Sequence, residues 1–521
     1  MRMYDYFERS AELNANRIAL VDQAKTYRFA ELRAATERFS LSLVARGIAN
    51  QDTIAIYSPN NADVLVCLLG LWRANAIWIP VNARNSLDAN IQYMNYVRVK
   101  WLFYHSSFGE DARKMKAAVP SLRHMICLDR ADDGCSSLDE FLKEGEGRTE
   151  PDRRDAYGNP HDLAGIIGTG GTTGPAKGVR VNNLAFGTFM ETAMNAWAAD
   201  GDLVCLTTAP MTHAAGPVAA ATLAMGAKVV ILPGFDALVV LENIARHNVT
   251  HMFLPPTALY AMLSHPRVME FDYSSLKVFL LAGSPVSPEK FKQAVEVFGP
   301  CMAQSYGQTE VPMIATWLPP KVVAAAAAGD HSERLKSCGR ATTAVRVAIM
   351  DDEGRLLPVG EVGEIVVRGS LVTEGYFELP KATQEVRAFG WHHTGDVGYR
   401  DADGYFYIVD RKKDMIVTGG FNVFSAEVEA AVMELGPVRE CAVIGVPDEK
   451  WGEAVTAIVV LQPGANLTAD QVIAHCKSRL GSVKAPKAVH FWSELPRTGA
   501  GKFDKKAIRA RFWQGTSRNV N

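Results

Sequence analysis

The densest chemistry in the chain lies in Thr169-Gly170-Gly171-Thr172-Thr173-Gly174-Pro175-Ala176-Lys177-Gly178-Val179, which packs four glycines, three threonines and a lysine into one turn. Such a turn wraps an oligophosphate: glycines let backbone N–H groups approach phosphate oxygens, threonine hydroxyls donate further bonds, and the lysine adds positive charge. It differs from the common nucleotide P-loop, which ends in Lys-Ser or Lys-Thr, because Gly178 follows Lys177. Polar clusters recur downstream at Ser305-Tyr306-Gly307-Gln308-Thr309-Glu310, His393-Thr394-Gly395-Asp396, Asp410-Arg411-Lys412-Lys413-Asp414 and Pro496-Arg497-Thr498-Gly499-Ala500-Gly501-Lys502. Alone, each reads blandly: Glu310 as a solvated loop carboxylate, residues 393–396 as a capped turn, Arg411 and Lys502 as surface cations.

The elements that must carry these residues show in the hydrophobic patterning. Short β-branched runs such as Thr53-Ile54-Ala55-Ile56-Tyr57, Lys228-Val229-Val230-Ile231-Leu232 and Lys277-Val278-Phe279-Leu280-Leu281 alternate with longer helix-like patterns. That alternation predicts an α/β body of parallel sheets covered by helices. Residues 143–162 and 319–340, the second with a five-alanine run, are expected to be surface loops. From Gly339 the texture changes to hairpins, with Asp351-Asp352-Glu353-Gly354 as a turn, which predicts a β subdomain closing the body. Beyond Asp410, a helix with Ser425 as N-cap and Gly436 just past its end, then strands at residues 441–446 and 455–461, predict a small α+β module. The expected division is 1–410, with the β subdomain beginning near Gly339, and 411–521.

Composition narrows the class. The 521 residues are 48% hydrophobic and 21% charged with a net charge of -2, which fits a multi-unit globular chain and favours neither nucleic acid nor an anionic membrane as main partner. The eight cysteines are scattered without the close pairs of a zinc or redox site, so reduced thiols and a cytoplasmic location are expected. Residues 64–81, the most apolar stretch, are interrupted by Arg73 and Asn75 and read as a buried helix and strand, not a membrane span. Residues 1–11 carry Asp5 and Glu8 where a signal peptide needs an apolar run, and the last residues are no peroxisomal address.

In their order, these five motifs resemble those of the adenylate-forming superfamily of acyl-CoA synthetases, luciferases and peptide-synthetase adenylation domains, and the resemblance spans essentially the whole chain. Two departures fall in the first loop: Gly170 stands where the family commonly has serine, and Pro175-Ala176 replaces a variable residue followed by proline. The resemblance implies an acyl-CoA synthetase with a large N-terminal body and a mobile C-terminal domain. A carboxylic acid would be joined to the α-phosphate of ATP with loss of pyrophosphate, and the acyl group would then pass to the thiol of coenzyme A. ATP, Mg²⁺ and coenzyme A are the implied cofactor and co-substrates, a small-molecule carboxylic acid the partner, and a homodimer is left open.

Carried over residue by residue, the nucleotide would be held by Thr169, Gly170, Gly171, Thr172, Thr173, Gly174, Lys177, Gly283, Ser284, Tyr306, Gly307, Thr309, Asp396 and Arg411, with Lys502 entering for the first half-reaction. Lys502, Thr309, Glu310 and His213 are the implied catalytic set, with Glu310 as the metal ligand and Lys413 as the hinge. Gly419, Gly420, Phe421 and Trp451 would border the passage for coenzyme A. The acyl pocket would be lined by Met211, His213, Ala214, Gly283, Tyr306, Val311 and Met313. No acidic residue lies between Asp202 and Asp236, where amino-acid activators place the partner of the substrate ammonium, so an apolar monocarboxylate with a medium or long chain, an aryl ring or an alicyclic skeleton is the expected substrate. Three rivals remain: a ligase that loads a carrier protein; a luciferase-like oxygenase on the same fold, for which no sequence feature demands oxygen chemistry; and a non-catalytic nucleotide-binding regulator, against which the joint presence of Glu310, Asp396, Arg411 and Lys502 argues.

Overall fold

The computed structural model describes residues 1–132, 134–148, 159–169, 176–497 and 503–513. Three sheets organise them. In the largest, Ile18–Val21, Lys228–Ile231, Val204–Thr207, His251–Leu254, Val278–Leu281 and Met302–Tyr306 run parallel. A second sheet places Thr53–Tyr57, Ile77–Pro80, Trp101–Tyr104, His124–Cys127 and Leu163–Gly168 in parallel and ends in an antiparallel pairing of Leu163–Gly168 with Gly178–Asn182. Two of the β-branched runs, Thr53–Tyr57 and Val278–Leu281, are buried along their whole strand, and the third, Lys228–Ile231, is buried beyond Lys228, as expected of parallel strands covered on both faces.

Parallel strands share a direction, so their carboxyl ends open on one edge, where ligands of open α/β sheets bind. The turn after Val204–Thr207 leads to Met211 and His213, that after Val278–Leu281 to Gly283 and Ser284, and that after Met302–Tyr306 to Gly307, Thr309 and Glu310. One edge therefore gathers three separated stretches of sequence.

From Thr316–Leu318 onward the large sheet continues in antiparallel fashion through Gly339–Ala341, Tyr405–Arg411, His392–Arg400, Gly363–Gly369 and Val345–Met350. The hairpins after Gly339 are thus hydrogen-bonded into the same sheet as the parallel strands. A third sheet of Ile416–Thr418, Phe421–Val423, Val438–Asp448, Gly452–Leu461 and Ala488–Phe491 packs with the helices Ser425–Met433, Ala469–Lys484 and Lys505–Ala510. Its apolar residues, including Val443, Val455 and Val459, form a core separate from that of the large body.

Two local expectations are corrected. Residues 319–340 are not simply a surface loop: Pro320–Ala327 is an α-helix and Ser332–Lys336 a 3₁₀ turn, with Val323, Ala326 and Leu335 buried. Alanine is the strongest helix former and Pro320 sits in the helix's first turn, where its missing N–H costs nothing. Ser425 is the first helical residue and not the N-cap, which is Phe424; its hydroxyl donates instead to Asp410 at 2.9 Å. The stretch 64–81 forms the expected helix Ala62–Arg73 and strand Ile77–Pro80. None of the eight cysteines is disulfide-bonded, and among the described residues no helix is long and apolar enough to cross a membrane.

Gly339, at the start of the second antiparallel strand, has φ +95, and a Cβ there would lie 2.2 Å from the carbonyl carbon of Trp317. Gly360 has a similar φ of +87 but open space around it. Gly339→Ala is expected to cost about 3 kcal/mol or more, and Gly360→Ala only about 1 kcal/mol. The shift in urea midpoint of the two variants checks this, and equal losses would mean that backbone conformation, not the collision, sets the cost.

Candidate active site

The segment from Tyr306 to Glu310 leaves its strand in a tight turn that only glycine permits. A Cβ on Gly307 would lie 2.6 Å from the backbone carbon of Met313 and 2.7 Å from the oxygen of Val311. Reciprocal bonds between Gln308 and Val311, at 3.0 and 3.3 Å, close the turn, and Met313 adopts φ 53 to complete it. Thr309 and Glu310 are thereby left half-buried at the tip, while Val311 is buried beneath them.

Alternate residues of this segment bond in two directions. Tyr306 Oη donates to Asp396 Oδ2 at 2.7 Å, and Gln308 Nε2 donates to the same oxygen at 3.0 Å and to the carbonyl of Thr394 at 2.7 Å. Arg411 Nε lies 3.1 Å from Asp396 Oδ1 across the paired strands His392–Arg400 and Tyr405–Arg411. Asp396 is only 4% exposed, a burial that a carboxylate tolerates because both of its oxygens are engaged. Burial, then the Asp396 charge, push the Tyr306 phenol well above its usual range, so it remains a donor. The residues 393–396, which alone suggest a turn, lie inside a strand, with Gly395 at φ 70 next to a bulge.

In the other direction, Glu310 Oε1 accepts from Tyr376 Oη at 2.7 Å, and the Lys177 ammonium sits over the Tyr376 ring, 4.9 Å from its centroid. Lys177 is anchored by the loop's own mouth: Thr169 N donates to the Lys177 carbonyl at 2.9 Å and Lys177 N donates to Thr169 Oγ1 at 3.2 Å. Gly170, Gly171, Thr172, Thr173 and Gly174 lie outside the described residues, as does Lys502. Thr169, Lys177, Tyr306, Gly307, Glu310, Asp396 and Arg411 are joined into one network.

Tyr376, Gln308 and Glu364 were not among the residues singled out from sequence as site residues. Glu364 receives the Gly395 N–H at 2.9 Å, lies 3.1 Å from His393 Nδ1 and binds Lys412 Nζ at 3.1 Å. Burial would raise its carboxyl, but His393, the Gly395 N–H and Lys412 outweigh it and hold the group below the usual glutamate value. Gln308 was legible as the variable position of a motif; Tyr376, in Glu374-Gly375-Tyr376-Phe377, carries no signal beyond a glycine–aromatic pair.

Of the residues expected to line the acyl pocket, Met211, Tyr306 and Val311 are buried in one apolar cluster, and Met313 packs against it with Phe253. Met211 N donates to Asn60 Oδ1 at 2.8 Å, and a Cβ at Gly216 would lie 2.3 Å from the Met211 carbonyl oxygen. His213 is exposed to solvent, yet the protein around its ring lowers its pKa by desolvation. Ala214 is half-buried, and Gly283 and Ser284 are exposed, with Gly283 at φ +91.

In the small module, Gly419 N donates to the Trp451 carbonyl at 2.7 Å, and a Cβ on Gly419 would meet the Trp451 ring at 3.0 Å. Gly420 has φ 81, Phe421 is 60% exposed, and Lys450 and Lys487 sit over the Trp451 ring at 4.8 and 5.5 Å. Lys413 follows directly on Arg411 and Lys412, and burial lowers its pKa.

A network that pairs a phosphate-type loop with one buried and one accessible carboxylate invites comparison with known proteins. The sequence matches the model of the AMP-binding enzyme family over residues 7–377 and that of the AMP-binding enzyme C-terminal domain over residues 427–502. A medium/long-chain-fatty-acid–CoA ligase of Mycobacterium tuberculosis is 41% identical over 490 residues, covering 91% of this chain and 84% of that one. An indoleacetate–CoA ligase of Aromatoleum aromaticum is 32% identical over 511 residues, covering 98% of each. Among solved structures, ATP-bound MatB from Rhodopseudomonas palustris superposes with a TM-score of 0.86 at 28% identity, covering 99% of each chain. With its large body and its small module each matched in order, the chain belongs to the AMP-binding enzyme family.

Proposed function

We propose that this chain is an AMP-forming acid–thiol ligase that activates an apolar monocarboxylate with ATP and transfers the acyl group to coenzyme A. The observation that carries the reading is the turn from Tyr306 to Glu310. It fixes a buried carboxylate, Asp396, suited to accept sugar hydroxyls, and an accessible one, Glu310, beside the lysine of a phosphate-type loop. The substrates of those two relatives, a fatty acid and indoleacetate, support an apolar acid.

The obstacle to the first step is repulsion between a carboxylate and a polyanionic nucleotide, so the site needs cations and oriented donors where charge builds. Asp396 would accept from the ribose hydroxyls while Tyr306, Gln308 and Arg411 hold it in place. Thr169, Lys177 and the loop residues 170–174 would take the phosphates, with Thr309 donating to the α-phosphate. Glu310 suits Mg²⁺, which takes one or two carboxylates and completes its shell with water and substrate phosphates. Among the described residues no group of three or more His, Cys, Asp or Glu offers an all-protein cage. Bound there, Mg²⁺ would neutralise phosphate charge. His213, kept neutral by its lowered pKa, would offer the acid a hydrogen bond without an ion pair. Lys502 would contact the attacking carboxylate and the α-phosphate. The module at 411–521 would then turn about Lys413, withdrawing Lys502 and bringing Gly419, Gly420, Phe421 and Trp451 to border the thiol's path.

Lys502→Ala is expected to slow adenylate formation about a hundred- to a thousandfold while sparing thioester formation from preformed acyl-adenylate; equal loss of both half-reactions contradicts this division. Asp396→Asn should raise the KM for ATP about tenfold or more, because a neutral amide replaces an acceptor of charged hydrogen bonds, with a much smaller change in the KM for the acid. Pyrophosphate release with ATP, Mg²⁺ and aliphatic, aromatic, alicyclic and amino acids, with and without coenzyme A, tests the whole reading. A coenzyme-A-dependent signal and a thioester detected by mass are expected with an apolar acid. Adenylate without thioester points to a carrier-protein thiol, and no turnover with any acid refutes the ligase.

A further inference from the structure

Tyr376 has no place among the groups assigned so far, yet it touches both ends of the phosphate side. Its hydroxyl donates to Glu310 Oε1 at 2.7 Å, and its ring lies beneath the Lys177 ammonium at 4.9 Å. The residue is 8% exposed and its backbone is fixed at several points. Tyr376 N donates to Thr383 Oγ1 at 2.9 Å, Arg180 N to the Gly375 carbonyl at 2.8 Å, and Phe377 N to the Gly178 carbonyl at 2.7 Å. The adjoining Thr373 N donates to the Glu310 carbonyl at 3.0 Å. One short segment therefore zips onto the strand that leaves the phosphate loop and onto the turn that carries Glu310.

The physical problem it addresses is general. A carboxylate that must reach a cation and a lysine that must reach phosphate attract one another, and a direct pair would cancel both charges and have to be broken before nucleotide could bind. Here the two are held by opposite parts of a neutral phenol instead of by each other: the anion by the hydroxyl, the cation by the ring face. Glu310 Oε2 is the oxygen that this phenol does not engage.

Resting on the proposed ATP site, we infer that Tyr376 is a positioning residue that keeps Glu310 and Lys177 apart and aims the Glu310 carboxylate at the Mg²⁺ that accompanies ATP. The two contacts are separable by mutation. Tyr376→Phe keeps the ring under Lys177 and removes only the bond to Glu310; Tyr376→Leu removes both.

The test is ATP binding to the full chain by calorimetry, without any acid so that nothing turns over, first in EDTA and then across a Mg²⁺ titration. For Tyr376→Phe, affinity in EDTA should stay within about twofold of wild type while the Mg²⁺ concentration for half-maximal enhancement rises about tenfold, the fold-change expected for losing a hydrogen bond to a charged group. Tyr376→Leu should weaken binding in EDTA as well. In a Glu310→Gln background, Tyr376→Phe should add no further shift. Circular dichroism and melting temperature establish that each variant is folded. Should Tyr376→Phe fail to fold, Thr383→Ala, which loosens the backbone anchor and leaves the ring, should move the Mg²⁺ midpoint in the same direction. An unmoved midpoint in the folded variants, or parallel losses in EDTA and in Mg²⁺ for Tyr376→Phe, overturns the inference. Absence of ATP binding by the wild-type chain would instead remove the ligase reading beneath it.

Discussion

The site depends on the bonds that Asp396 accepts from Tyr306 and Gln308. A carboxylate buried to this degree is costly unless its lone pairs are filled, and the two donors lie on the strand-and-turn segment that also carries Glu310. Satisfying Asp396 therefore ties the last parallel strand of the large sheet, which Tyr306 ends, to a strand deep in its antiparallel half, where Asp396 lies. The same act sets the position of Glu310, two residues beyond Gln308. Sugar-side and phosphate-side geometry are thus not independent: a shift that loosens Asp396 also displaces the carboxylate proposed to meet the metal.

Glycine is what lets one segment serve both sides. The turn after Tyr306 brings residue 313 so close to residue 307 that no side chain fits between them. Its tightness stands Thr309 and Glu310 at the tip while Val311 returns at once to the apolar cluster holding Met211 and Tyr306. The proposed nucleotide and acyl sides would consequently share a wall, and the tip's orientation is set by packing beneath it as much as by its own bonds.

Much of this was legible in the sequence because the chemistry needs particular residue types in order. The ordered motifs point to Lys177, Tyr306, Glu310, Asp396 and Arg411, which the fold brings together, and the β-branched runs point to the parallel strands. What escaped was of two kinds. Tyr376 meets Glu310 across 66 residues of sequence, and nothing in a glycine–aromatic pair tells a core tyrosine from one whose hydroxyl completes a site. The alanine run was misjudged because turn-rich flanks outweighed the helix propensity of alanine, and Ser425 because a serine ahead of an apolar run is an equally good partner for a distant carboxylate as for its own helix.

That partner is Asp410, and the bond has a consequence for motion. If the small module turns about Lys413, Arg509 stays with Asp414 and Lys505 with Glu429, because both members of each pair lie beyond the pivot. Lys412 stays with Glu364 and Arg411 with Asp396, because both members precede it. The Asp410 carboxylate, however, sits before the pivot and receives the Ser425 hydroxyl and, at 3.3 Å, the Ala426 N–H from beyond it. Turning exchanges these for water. Net of that exchange, hydrogen bonds to a charged group are worth about 1.5–3 kcal/mol each. The crossing contact is therefore strong enough to define one orientation and weak enough for bound ligands to shift. Lys505 donates to the same Ser425 hydroxyl at 2.7 Å, so one hydroxyl joins a lysine beyond the proposed pivot to the carboxylate before it.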